Sequence, residues 1–130
     1  MASNASVLII ERRPAVVSSI TSVLAHIPEV TLLGSIPQAS ERDRLQLDAH
    51  PAIVVCGTSV LLPQTLTQLL ELRAVWPGAR LIALSFDPTE ETRELTLSAG
   101  AHRYVSGINM PAELPGAIQA ALDPDSTRQL

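Results

Sequence analysis

Lysine is absent from the sequence, and all nine of its cationic side chains are arginines. Any mechanism that requires a lysine amine is therefore excluded. Aromatic residues are almost as scarce, because Trp76, Phe86 and Tyr104 are the only three in the chain. The hydrophobic core must consequently be aliphatic, built from valine, leucine, isoleucine and alanine.

Cysteine is also nearly absent, and a single thiol excludes an internal disulfide. Cys56 follows the apolar residues Ile53–Val55, which predicts a small hydrophobic side chain in the core rather than a reactive thiol. The histidines, His26, His50 and His102, share no spacing typical of metal ligands, so we expect no zinc site. Glycine-rich phosphate loops and nucleophile–base motifs are missing too, and we do not expect an enzyme.

Long apolar stretches and basic segments are likewise missing. No run approaches the length of a membrane span, and residues 1–6 lack the features of a signal peptide, so we expect a cytoplasmic protein with no membrane partner. The formal net charge of -4 gives no basic footprint for direct nucleic-acid binding. The 130 residues, 46% hydrophobic and 17% charged, are typical of one globular domain.

Five short apolar runs recur along the chain and alternate with helical patterns. The first four are almost continuously apolar, as in strands whose two sheet faces are both covered by helices. A β-α unit repeated five times predicts a doubly wound parallel sheet, in which functional groups gather at the carboxyl ends of the strands. The runs are Val7–Ile10, Val30–Leu33, Ala52–Cys56, Leu81–Ser85 and the weaker Tyr104–Val105.

Local signals predict several helix ends. Asp87 is expected to cap the helix that follows it. The last helix is expected to begin near Pro115 and to run to Leu122, because a proline inside a regular helix costs about 3 kcal/mol. The charged segment 41–44 indicates that the second helix is shifted or shortened.

Short motifs stand in a definite order along the chain, namely Val7–Ile10, Pro14, Gly34, Pro51, Trp76–Arg80, Ser85, Ser98–Ala101, Tyr104 and Pro111. In order and spacing they resemble the receiver domain of response regulators, nearest to the subfamily that precedes a helix-turn-helix DNA-binding domain. The resemblance implies a single three-layer flavodoxin-like (βα)5 fold, an α/β class fold with a five-stranded parallel sheet of order 2-1-3-4-5. We therefore expect a receiver-like domain at residues 1–122 and a polar tail or linker at residues 123–130.

The resemblance also implies where the phosphorylation chemistry of the family would lie. The aspartate that accepts the phosphoryl group corresponds to Gly57, which has no side chain. The acidic pair that holds Mg²⁺ corresponds to Glu11 and Arg12, so a guanidinium replaces one of the oxygen ligands that this cation prefers. The lysine that pairs with the phosphate in the family corresponds to Gly107. The serine or threonine that bonds a phosphoryl oxygen corresponds to Ser85, and this is the one element that matches in full. The resemblance thus implies a degenerate site with no catalytic residue, no metal and no cofactor.

Two interpretations of this vacated site stay open. In the first, Glu11 forms an internal ion pair with Arg12 or Arg13. In the second, Arg12, Arg13 and Ser85 form a pocket for an anion or small ligand together with freed backbone N–H groups, since guanidinium groups suit phosphate and carboxylate.

Ser85 and Tyr104 correspond to the switch pair of a receiver, in which the aromatic ring follows the hydroxyl toward the phosphate. The alternative is that Ser85 stabilises a turn and that Tyr104 packs at the sheet edge, where it remains a candidate contact residue. The apolar segment 60–63 either marks an interaction surface or packs under the next helix.

These observations predict a phosphorylation-independent, receiver-like domain that acts in signal transduction or transcription regulation. It would act through contacts with a protein partner or through homodimerisation. Any DNA binding would require an attached output domain or a partner, because this chain carries no DNA-binding element of its own. The alternative function is a ligand-sensing module that binds a small anion or metabolite at the carboxyl ends of the strands.

Overall fold

The computed structural model describes residues 4–45, 50–58, 62–87 and 89–123. Five parallel strands form one sheet in the order β2-β1-β3-β4-β5, which confirms the predicted architecture and strand order. The apolar runs predicted as strands lie in them except for Ala52, which precedes β3, and the weak fifth run extends by one residue at each end. The strands are β1 Ala5–Ile10, β2 Val30–Ile36, β3 Ile53–Gly57, β4 Arg80–Ser85 and β5 Arg103–Ser106.

The connections between consecutive strands are helical. Between β2 and β3 lies a 3₁₀ helix, Ala39–Arg44, so the second helix is shortened, as the charged segment 41–44 indicated. The described residues do not include 46–49, 59–61 of the apolar loop, or 124–130 of the tail. The α-helices are α1 Pro14–Leu24, α2 Leu62–Val75, α3 Glu90–Ser98 and α4 Met110–Leu122.

Two aliphatic clusters fill the space on either face of the sheet. Alternate residues of each strand point to opposite faces, so Val7 and Ile9 join one cluster while Leu8 and Ile10 join the other. The first cluster is covered by α1 and α4, and the second by the 3₁₀ helix, α2 and α3. Cys56 belongs to the second cluster and is buried, as its apolar context predicted.

The start of α4 differs from the prediction. The helix begins at Met110 instead of Pro115, and Pro115 lies inside it. The missing backbone hydrogen bond is tolerated because Met110, Leu114 and Ile118 stand at helical spacing and are all buried. Burial of each such side chain contributes about 1.5–3 kcal/mol, which outweighs the cost of about 3 kcal/mol for the proline.

The cap of α3 is also different from the predicted one. Thr89 is the N-cap, and its hydroxyl accepts a hydrogen bond from the Thr92 amide at 3.4 Å. The Asp87 carboxylate instead accepts bonds from the Thr89 amide and the Thr92 hydroxyl, both at 2.9 Å. Asp87 therefore stabilises the turn that leads into the helix, two residues before the cap at Thr89.

The topology brings the ends of all five strands to one edge of the sheet. β1 and β3 are direct neighbours, with Ile10 paired to Cys56, so the residues that follow each of them must meet. β4 and β5 end beside them, with Ser85 paired to Ser106. Within the described residues, no helix has the length and apolarity needed to cross a membrane.

Candidate functional site

The carboxylate of Glu11 lies directly over the backbone of Gly57. Glu11 follows β1 and is held by a backbone hydrogen bond from its N–H to the carbonyl of Ile36, at 3.0 Å. A Cβ atom placed on Gly57 would lie 2.8 Å from the carboxyl carbon of Glu11 and closer still to one of its oxygens, which is too close for a real side chain. The carboxylate of the residue after β1 therefore occupies the space that a side chain at the end of β3 would need.

Arg13 holds this carboxylate with three hydrogen bonds. Its backbone N–H and Nε donate to Oε2 of Glu11 at 2.8 and 2.9 Å, and Nη2 donates to Oε1 at 2.8 Å. The Glu11 side chain is 3% exposed, whereas that of Arg13 is 45% exposed. The internal ion pair that the sequence left open between Arg12 and Arg13 thus forms with Arg13.

The electrostatics of Glu11 reflect two opposing effects. Burial alone would raise its pKa, because an ionised carboxyl loses its hydration. The hydrogen bonds and positive charge of Arg13 outweigh burial and hold the pKa of Glu11 below its ordinary value. The same contacts raise the pKa of Arg13. The pair is therefore fully ionised at neutral pH.

Arg12 points away from this ion pair. Its Nη2 atom forms a short hydrogen bond with Oε1 of Gln38, in the loop between β2 and the 3₁₀ helix, and the residue is exposed. Arg12 forms no ion pair with any carboxylate among the described residues, so its charge is not compensated by a direct contact.

The ring of Phe86 links Arg13 to the end of β5. The Cζ atom of Arg13 lies 4.8 Å from the ring centroid, a cation–π distance. The ring also lies close to Gly107, where a Cβ atom would be 2.6 Å from it, so a larger residue there would displace the ring. Nothing in the sequence assigned a role to Phe86. The available signal was a bulky aromatic directly after Ser85, in a chain with few aromatics.

Ser85 and Tyr104 both contact the turn at Asp87. The Ser85 hydroxyl accepts a hydrogen bond from the Asp87 amide at 3.0 Å, and the Tyr104 hydroxyl donates to the Asp87 carbonyl at 3.1 Å. Ser85 is buried and Tyr104 is half-buried. These contacts match the interpretation in which Ser85 stabilises a turn and Tyr104 packs at the sheet edge.

A cleft of about 620 Å³ opens beside the Glu11–Arg13 pair, between the 3₁₀ helix and the first half of α2. Arg12 and Arg13 line it, whereas Ser85 and Gly107 do not, so the pocket predicted from Arg12, Arg13 and Ser85 is not brought together as one set. Its lining comprises Glu11, Arg12, Arg13, Pro37, Gln38, Ser40, Gly57, Thr58, Pro63, Gln64, Thr65, Thr67, Gln68 and Glu71.

Gln68 is a lining residue of this cleft that was not identified from the sequence. Its Nε2 donates to the sulfur of Cys56 at 3.2 Å, and its Oε1 accepts from the amide of Ala39 at 3.0 Å. Burial raises the pKa of the Cys56 thiol to about 12, so the thiol stays protonated and unreactive at neutral pH. Over the part of the chain that the structure describes, no cluster of His, Cys, Asp and Glu could hold a metal ion.

The chain has the fold of response-regulator receiver domains. The RcsB response regulator of Salmonella typhimurium has a TM-score of 0.81 at 18% identity, covering 98% of this chain and 67% of that chain. The non-phosphorylated receiver domain of the stress response regulator RcsB from Escherichia coli has a TM-score of 0.79 at 20% identity, covering 92% and 94%.

A structure of two RcsB dimers bound to two parallel DNAs also has a TM-score of 0.79, at 16% identity, covering 97% of this chain and 67% of that chain. This chain therefore spans about two thirds of the length of that chain. No protein-family model and no curated protein matches the sequence. At these identities the likeness establishes the fold and assigns no residue roles.

Proposed function

We propose that this protein is a receiver-like signalling module that works without phosphorylation and acts through protein contacts. The observation that carries the proposal is the position of Glu11 over Gly57, held there by Arg13. The ion pair occupies the place of the phosphorylation chemistry and keeps the surrounding loops in one arrangement.

Phosphoryl transfer to this site is disfavoured on two grounds. An acyl phosphate requires a carboxylate with an accessible oxygen, and both oxygens of Glu11 accept bonds from Arg13 within a buried side chain. Transfer also requires Mg²⁺, and the guanidinium of Arg13 already occupies the carboxylate of Glu11 that would have to hold the ion. Two like unit charges 4 Å apart repel by about 4 kcal/mol at an effective dielectric constant of 20. Mg²⁺ carries two positive charges, so its repulsion by a guanidinium at that distance would be about twice as large.

Exposed apolar side chains support a role in protein contacts. Phe86 is 42% exposed and Ile108 is 71% exposed, and both border a small cleft of about 250 Å³ at the ends of β4 and β5. Clustered exposed apolar residues are typical of interaction surfaces. The RcsB structure with two parallel DNAs contains dimers. By analogy, we propose that this chain also self-associates. Any DNA binding would belong to another domain or to a partner.

The test of phosphorylation independence is incubation with acetyl phosphate, or with beryllofluoride, in the presence of Mg²⁺. We expect no covalent mass increase, while a conventional receiver treated in parallel is modified. A stable acyl-phosphate adduct on this chain would refute the proposal.

The test of self-association is light scattering on the unmodified protein and on Ile108→Arg. We expect a concentration-dependent dimer that is lost in this variant. Leu70→Arg is the matched control, since Leu70 is 60% exposed on α2 and does not border the small cleft that Phe86 and Ile108 line. A dimer that survives Ile108→Arg would place the contact elsewhere.

A further inference from the structure

The cleft between the 3₁₀ helix and α2 has the dimensions of a small-molecule site. Its volume of about 620 Å³ falls within the range of about 300–1,000 Å³ typical of ligand pockets. It opens beside the Glu11–Arg13 pair on the side of β2, whereas Ser85 and Gly107, which correspond to residues flanking a phosphoryl group in receivers, lie outside its lining. The cleft therefore includes the β1 and β3 side of the degenerate phosphorylation site, at Glu11, Arg12 and Gly57, and extends from there toward the 3₁₀ helix and α2.

Most charges around the cleft are already paired. Arg13 is paired with Glu11 through Nε and Nη2. Glu71, on the α2 wall, is bound at 2.7 Å by Arg42, which stands behind the lining. In the described residues, this leaves Arg12 as the lining cation whose bond goes to a neutral group, the side-chain oxygen of Gln38. A chain with a net charge of -4 thus presents a positive centre inside its larger cleft.

The remaining lining supplies hydrogen-bonding groups without additional charge. Hydroxyl groups come from three sides of the cleft: Ser40 on the 3₁₀ helix, Thr58 after β3, and Thr67 on α2. Ser40 and Thr67 are exposed, so their hydroxyls are accessible from solvent. Hydroxyls around one guanidinium form a suitable environment for an oxyanion, which accepts bonds from both.

We propose that this cleft binds a small oxyanion, the carboxylate or phosphate group of a metabolite, with Arg12 as its principal contact. A guanidinium presents a planar set of N–H donors that matches two oxygens of such a group, and one hydrogen bond to Gln38 leaves the other donors available. Binding requires no change in the Glu11–Arg13 pair. The ligand would contact the β1–α1 loop, the 3₁₀ helix and α2 together. Its binding would therefore change the surface that these elements form.

The experiment is a titration of the isotope-labelled protein with inorganic phosphate and, separately, with malonate, at constant ionic strength maintained with chloride. We expect saturable amide shifts centred on Ser40, Thr58 and Thr67 for at least one anion. The anion that binds more tightly identifies the ligand class. Arg12→Gln should weaken binding about tenfold, as for the loss of one bidentate charge-assisted contact, and Arg12→Lys should weaken it less.

Arg93→Gln is the matched control, because Arg93 is an exposed arginine on α3 that borders only the smaller cleft. It should bind both anions as the unmodified protein does. The proposal is overturned if neither anion gives a saturable response, or if Arg12→Gln binds as tightly as Arg93→Gln. Phosphorylation gives a covalent mass increase that reversible anion binding does not, so the outcome is separable from that of the proposed function.

Discussion

Arg13 lies across the ring of Phe86, with its Cζ atom 4.8 Å from the ring centroid. The same guanidinium donates two hydrogen bonds to the buried carboxylate of Glu11. One side chain therefore joins the end of β1 to the end of β4, and the ring continues the contact to Gly107 after β5. The loops at this edge of the sheet are fixed to one another through a single cation.

The first prediction concerns the removal of this cation. Arg13→Ala should lower the free energy of unfolding by about 2–3 kcal/mol, because it leaves the Glu11 carboxylate buried without its main donors. Urea denaturation monitored by circular dichroism measures the change. Glu11→Gln combined with Arg13→Ala should recover part of the loss, since a neutral amide tolerates burial better than a charge.

The control for Arg13→Ala is Arg93→Ala. Arg93 pairs with Glu90 on the surface of α3, with both side chains more than half exposed. Such exposed pairs contribute less than about 1 kcal/mol. Equal effects of the two substitutions would contradict the importance assigned to the Glu11–Arg13 pair.

A second prediction follows from the lowered pKa of Glu11. A carboxyl group whose pKa is lower in the folded than in the unfolded state stabilises the fold above its ordinary value, 4.5. That contribution is lost as the pH falls from 4.5 through the folded-state value. The difference in free energy of unfolding between the unmodified protein and Glu11→Gln should therefore shrink in this acidic range. A difference that stays constant down to the lowest pH would show that Glu11 does not titrate as proposed.

A third prediction concerns the space above Gly57. Gly57→Ala should lower the free energy of unfolding by about 1–3 kcal/mol, because the new methyl group collides with the Glu11 carboxylate. Gly78→Ala is the control, since a Cβ atom there has nothing within 4 Å. Thermal and urea denaturation of the two variants give the comparison. If both are equally stable, Glu11 does not occupy that space in solution.

A fourth prediction concerns Thr96 on α3. It is fully buried, and in the described part of the chain its hydroxyl oxygen has no hydrogen-bond partner. Thr96→Val should raise the free energy of unfolding by about 1 kcal/mol, because it replaces an unsatisfied polar group with a methyl group of similar size and helix propensity.

Thr89→Val provides the contrast for Thr96→Val. It removes the hydroxyl that caps α3 and should destabilise the protein by about 1 kcal/mol. Denaturation midpoints that move in opposite directions for the two threonines are the expected result. A loss of stability in Thr96→Val would indicate that its hydroxyl has a partner, such as a buried water molecule.

The sheet was predictable because its signal is local. Continuous apolar runs such as Val7–Ile10 can be buried only between two helical layers, and this fixes the architecture. The end of the chain was less predictable, because the penalty at Pro115 can be read from one residue, whereas its compensation requires Met110, Leu114 and Ile118 to reach the same core. The prediction of a helix start near Pro115 included the cost of the proline but not the free energy gained by burying these three side chains.

The site was predictable by position but not by geometry. The resemblance to receivers implied that Glu11 and Gly57 lie at neighbouring strand ends, yet the choice between Arg12 and Arg13 depends on side-chain directions in the loop after β1. The role of Phe86 depends on its approach to Gly107 across neighbouring strands, which no local pattern encodes.

The placement of Glu11 above Gly57 also limits what one substitution can install at this edge of the sheet. Aspartate at position 57 meets an occupied space, while a change at position 11 alone removes a carboxylate and supplies no acceptor. An acceptor carboxylate at the end of β3 therefore requires changes at both positions together. The two positions are coupled, and neither can be engineered independently of the other.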